Sequence, residues 1–350
     1  MTWPSMYEFD IGLYEEIYNF IESSGYIIED AFLSQGVPTF YVDLPENSKE
    51  AFMNLLRKLE PYNFIPILRK INGKNVLRIV KEPPVRHIIP KPAFVFAFIA
   101  TLATIFISGY FPPPIGIGEL NIVLALEFVA AMILVLATHE IGHWILARKH
   151  GIKASPPLFI PGPPPFGTFG AVIVQSSLAP TKDALFDVGV SGPLFGFIAS
   201  LIVSFIGLPL SKVIPFTGRG GLPPIFLYSL MAWFIKGPLR EGYAVLLHPI
   251  AFAGWVGMLI TMLNLVPAGT LDGGHVARCF LKPNMQLIAA LVGVAILFWR
   301  GFYFFAMLAL IMAVTYKHPG PLDDISPLSK KKKLLAIVPV VIFLLCVLPF

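Results

Sequence analysis

Within an otherwise apolar run, His139-Glu140-Ile141-Gly142-His143 places two imidazoles one helical turn apart on a common face, with a carboxylate beside them. The pattern suits a zinc ion. Two nitrogen ligands point at one site, zinc needs at least one further protein ligand and an open position for water, and Glu140 is placed to take that water's proton. Apolar residues flank the motif on both sides, Ala130 to Val135 and Trp144 to Ala147. Ionisable side chains are costly there unless they serve a function. The alternative is an inward-facing polar cluster satisfied by hydrogen bonds between helices.

The remaining ligand must come from another part of the chain, and Asp272 is the best candidate. It stands at the end of Asn264-Leu265-Val266-Pro267-Ala268-Gly269-Thr270-Leu271-Asp272-Gly273-Gly274-His275, which follows another apolar run. Pro267 and Gly269 can interrupt a helix so that Asp272 turns inward. Judged alone, the same stretch also reads as an Asp-Gly turn at a helix end. The other histidines are not assigned to the site. His275 could share a face with Asp272 but is not needed, and His248 reads as a structural or gating residue. His87, His150 and His318 sit among basic residues at membrane edges.

The composition says what holds these residues. The 350-residue chain is 56% hydrophobic and 13% charged, against about 25% charged in soluble domains. That makes it a membrane protein. Its net charge of +5 does not imply a nucleic-acid partner, because the basic residues gather at the ends of apolar segments. Apolar stretches run over 93–109, 121–148, 188–208, 249–266, 286–299, 302–316 and 334–350, which gives six or seven spans. Two of them, 286–299 and 302–316, are short and could form a tight helical hairpin at Arg300-Gly301. Residues 225–235 are too short to span and read as an interfacial or re-entrant helix. Lys81, Arg86, Lys91, Arg148, Lys149, Lys153, Arg278, Lys282, Lys317 and Lys330 to Lys333 fall on one side, which is expected to be cytoplasmic. The connection 111–120 on the other side has no Lys or Arg, whereas 209–247 carries four and blurs the contrast. Cys279 and Cys346 form no disulfide framework.

Residues 1–88 read as a separate soluble domain with helix and strand periods in the order αββαββ, including an Asn72-Gly73 hairpin turn. The expected fold is therefore a polytopic α-helical membrane domain over 89–350 behind a small α+β domain, which has no catalytic grouping and is taken as accessory or regulatory. Pro156 to Ala171, rich in Pro and Gly, either offers a strand edge to an unwound substrate or is a surface loop dipping into the headgroups.

At its two polar motifs the chain resembles the site-2 protease family of intramembrane metalloproteases, which carries HExxH on one membrane helix and N-x-x-P-x-x-x-L-D-G on a later one. The likeness extends through Phe166-Gly167-Thr168-Phe169-Gly170-Ala171-Val172-Ile173, Ser191-Gly192-Pro193 and His248-Pro249-Ile250-Ala251-Phe252-Ala253-Gly254-Trp255. Those segments resemble the branch of the plant chloroplast ethylene-dependent gravitropism-deficient and yellow-green proteases and their prokaryotic relatives. No PDZ or CBS module is recognised. The resemblance implies one zinc ion on His139, His143 and Asp272, Glu140 as general base and then acid, and Asn264 polarising the scissile carbonyl. It implies cleavage of transmembrane segments of single-span proteins in regulated intramembrane proteolysis, in a prokaryotic cell membrane with the N-terminus cytoplasmic. The rival reading is a catalytically silent membrane zinc protein acting as chaperone or transporter. Transport needs ligands on both sides of a path, and a silent relative usually lacks the Glu or a ligand.

Overall fold

A computed structural model describes residues 11–83, 89–111, 121–216 and 221–348 of the chain. Arg86, His87 and most of the 111–120 connection lie outside the described residues. The chain divides into two compact units.

The first unit holds the described residues of Met1–Arg86 together with Leu178–Leu185 and Gly320–Ser329. Its elements are α1 (Ile11–Glu22), β1 (Ile27–Ser34), β2 (Val37–Asp43), α2 (Ser48–Leu59), β3 (Phe64–Ile71) and β4 (Lys74–Lys81). The strands form an antiparallel sheet in the order β1-β2-β4-β3. Ile17 and Ile21 of α1 and Phe52, Leu55 and Leu59 of α2 are fully buried with Phe40, Leu68, Leu77 and Ile79 of the sheet, as helical and strand spacing of apolar residues requires. Asn72 and Gly73 both take positive φ (51° and 84°), which lets the β3–β4 turn be two residues long.

The outer edge of β3 is covered by segments from far along the chain. Leu68 N–H donates to Leu322 O (2.9 Å) and Asp324 N–H to Leu68 O (3.2 Å); beyond them Leu322 N–H donates to Ala179 O (2.8 Å) and Asp323 N–H to Pro180 O (3.0 Å). Leu322 joins the apolar core of this unit. Lys49 pairs with Asp183 at 2.6 Å and Lys182 with Asp324 at 3.9 Å. An edge strand that would otherwise template pairing with other chains is closed in this way.

The second unit holds the long apolar helices. Among the described residues three helices are long and apolar enough to cross a membrane: α3 (Lys91–Tyr110), α4 (Ile122–Lys149) and, after the hairpin of β5 (Leu158–Pro161) and β6 (Thr168–Val172), α5 (Lys182–Leu210), whose opening turn counts with the sheet unit. There follow β7 (Lys212–Pro215), α6 (Phe226–Lys236), β8 (Tyr243–Leu246), α7 (Pro249–Asn264), α8 (Asp272–Arg278), α9 (Pro283–Trp299), α10 (Tyr303–Thr315), α11 (Lys330–Leu335) and α12 (Ile337–Val347). The α7, α9 and α10 helices, of 16, 17 and 13 residues, are about 20–26 Å long, below the three long helices. The last apolar stretch is broken at Ala336 into α11 and α12. Lys236, one of the four basic residues of 209–247, donates to Pro209 O (2.8 Å) and Ser211 O (2.6 Å), capping the end of α5.

The β5–β6 hairpin runs deep along α3. Thr104 Oγ1 donates to Gly167 O (2.6 Å), and a Cβ on Gly167 would lie 2.5 Å from Ile105 Cα. Thr104 is about 20 Å along the helix from Lys91. At the same turn Phe166 packs on Phe252 (6.4 Å between centroids) and Phe305 (6.1 Å), and Phe252 stacks on Phe128 and Trp255.

Candidate metal centre

The α4 helix brings His139, Glu140 and His143 into the helical unit, and all three are buried. The break that brings Asp272 to them lies between α7 and α8, where residues 265–271 leave the helix and Gly269 takes φ +50° against Met312 O. Asp272 then opens α8 facing both imidazoles, 3.3 Å from His139 Nε2 and 3.2 Å from His143 Nε2. The two Nε2 atoms are 3.1 Å apart. One ligand atom from each of the three residues lies within 4.8 Å of the others, a set that could hold a metal ion and the only such group of three or more among the described residues. Asn264, the last residue of α7, brings its Nδ2 to 3.4 Å from His139 Nε2.

The α5 helix closes the site from the third side, which the motifs did not reveal. His143 Nδ1–H donates to Val188 O (2.9 Å), so Nε2 keeps its lone pair facing His139 and Asp272. Gly189, Gly192 and Gly196 share one face of α5. A Cβ on Gly192 would stand 2.0 Å from His143 Nε2, and one on Gly196 2.9 Å from His139 Nδ1. The first would also lie 2.5 Å from both Cδ2 and Cε1 of His143, over the face of the ring; the absent side chains let α5 close directly on the two imidazoles. In the sequence the only signal was the spacing of these glycines around Ser191-Gly192-Pro193.

The remaining histidines fall elsewhere. His275 Nδ1–H donates to Leu271 O (3.1 Å), and its ring meets His318 edge-on at 4.6 Å. His150 pairs with Asp187. His248 caps α7, its Nδ1 accepting from Ile250 N–H (3.4 Å), and its Nε2 is 3.4 Å from the carboxylate of Glu127. Glu127 precedes His139 on α4 by about 18 Å; it is a carboxylate inside an apolar run that was not singled out from the sequence, and it joins α4 to α7 at the end opposite the site.

A helix bearing two histidines one turn apart, a neighbouring glutamate and an aspartate from a broken helix together make a metallopeptidase-type centre in a helical membrane-protein framework. Residues 127–300 match the model of peptidase family M50, and over them the chain belongs to that family, the site-2 protease family, in the branch of the EGY proteins. It is 36% identical over 148 residues to the "Probable zinc metalloprotease EGY2, chloroplastic" of Arabidopsis thaliana, covering 41% of this chain and 26% of that protein. It is 31% identical over 209 residues to the EGY2 protein of Oryza sativa subsp. indica (56% and 36% covered) and 28% over 260 residues to the Arabidopsis thaliana EGY1 protein (69% and 47%). The chain thus spans a quarter to a half of the length of these relatives. No solved structure matches.

Proposed function

We propose that this protein is a zinc-dependent endopeptidase that cuts transmembrane segments of single-span membrane proteins within the bilayer. The observation that carries the reading is the convergence of His139, His143 and Asp272 beside Glu140, on helices apolar enough to lie in a membrane. The relatives' printed names, zinc metalloproteases, agree with it.

The donor set fits zinc: two imidazole nitrogens and one carboxylate oxygen leave a coordination position open. When bound, zinc would lower the pKa of a water towards neutrality and polarise the scissile carbonyl. Glu140 takes the attacking water's proton and returns it to the departing amide nitrogen. Asn264 donates its amide to the oxygen of the carbonyl under attack. Val188 O holds His143 in the tautomer that binds metal.

A helical substrate has its carbonyls tied up in i to i−4 bonds and must be unwound before attack. The β6 strand, paired only with β5 in its two-stranded sheet, offers an edge on which an unwound segment can add as a further strand. The clustering of basic residues at the ends of apolar segments supports a cytoplasmic N-terminal sheet unit, acting as an accessory or regulatory domain.

Zinc stoichiometry on detergent-purified protein tests the reading without knowledge of the substrate. About one zinc per chain is expected, reduced in Asp272→Ala. Equal zinc in both would remove Asp272 from the site; full proteolysis of a transmembrane test substrate by Glu140→Gln would sink the mechanism.

A further inference from the structure

The two most basic stretches of the helical unit are far apart in sequence, Arg148-Lys149 at the end of α4 and Lys330 to Lys333 in α11. Asp187 joins them. Its Oδ2 accepts from His150 Nε2 at 2.8 Å and from Lys332 Nζ at 2.5 Å. Arg148, Lys149, Lys330, Lys331 and Lys333 flank this joint and are exposed, and neither stretch contains an acidic residue. One carboxylate therefore holds two cationic segments together against their mutual repulsion, with an uncompensated positive surface around it.

The surroundings are those of a membrane boundary. Arg148 lies over the ring of Trp144 at 5.3 Å, and Trp144, Ile145, Leu334 and Leu335 are exposed on the same two segments. Indole and guanidinium together at the end of an apolar helix mark the headgroup level. Topology alone asks for basic residues on one side. It does not ask that they be gathered from α4 and α11 onto one carboxylate.

We propose that this joint is a binding site for the phosphate headgroup of anionic phospholipids. The proposal rests on the reading of α4 and α5 as membrane-spanning, and it is independent of the metal centre. Each basic residue at an anionic surface contributes about fivefold in binding, so five of them discriminate strongly against zwitterionic lipid.

The test is native mass spectrometry of lipids retained by the full chain from mixed micelles of phosphatidylglycerol and phosphatidylcholine, with zinc content measured on the same samples. Wild type should retain phosphatidylglycerol at least fivefold over phosphatidylcholine. The triple variant K330Q/K331Q/K333Q and the double variant R148Q/K149Q should each bring that enrichment down towards one, the triple variant further than the double, with zinc unchanged. Asp187→Asn, which keeps every cation but dismantles the joint, should lower it too. Enrichment equal in wild type and all three variants would overturn the proposal. So would displacement of the retained lipid by millimolar inorganic phosphate, because the site would then be one for free phosphate. A loss of zinc from wild type with lipid enrichment intact would count against the metal reading alone.

Discussion

The sheet unit and the helical unit use their polar groups in opposite ways. In the sheet unit opposite charges meet: Lys49 with Asp183, Lys182 with Asp324. Each group there is met by an opposite charge of the same unit while keeping some contact with solvent. In the helical unit two imidazole nitrogens and a carboxylate turn their acceptor atoms towards one another, within 4.8 Å, and glycines of α5 pack directly against the two imidazoles. Acceptors aimed at acceptors make sense around a cation. The difference teaches that the informative feature of a buried ionisable cluster is what its members lack, more than how many there are.

Breaking the acceptor cluster should therefore cost chemistry, and breaking the charge pairs should cost little. The largest effect is expected for Glu140→Gln, a fall in kcat of roughly 10²–10⁴-fold with about one zinc per chain retained; turnover of a transmembrane test substrate beside metal analysis checks it. Asn264→Ala should lower kcat by about 10²-fold with KM little changed, and an equal loss of zinc would make it a ligand-positioning residue instead. Gly192→Ala drives a methyl group into the His143 ring, tilting that imidazole out of place, and should weaken zinc by on the order of 10–100-fold, measured by chelator competition. A spectrum of the cobalt-substituted protein identical to wild type would show that α5 does not hold the ligands. At the small end, Lys49→Met in the sheet unit should change unfolding free energy by about 1 kcal/mol or less, since the pair is partly exposed, and leave zinc binding unchanged.

Legibility followed sequence distance. His139, Glu140 and His143 were readable because a helix alone places residues i and i+4 together. Asp272 was readable as a motif, but its inward turn depends on the break at Pro267 and Gly269, which the sequence only permits. The α1-β1-β2-α2-β3-β4 order was plain from apolar periods and the Asn72-Gly73 turn. The Gly189, Gly192 and Gly196 face carried little signal, because a glycine has no chemistry until the neighbour that it admits is known. Glu127 was passed over within its apolar run, since its partner His248 lies 121 residues away. The packing of the β5–β6 hairpin was illegible for a similar reason: nothing in Phe166 or Gly167 names their distant partners Phe252 and Thr104.

The covered edge of β3 has a consequence in time. During synthesis Ile71 leaves the ribosome about 250 residues before Gly320, an interval on the order of ten to fifty seconds at usual elongation rates. Throughout it the sheet has formed its hairpins but still shows Leu68 N–H and C=O to any passing strand, and the segment that will close it is not yet made. The N-terminal unit is thus first in the chain and among the last parts to be finished. A chain stopped at residue 319 should show faster amide exchange along β3 than along β4, and the full chain should lose that difference.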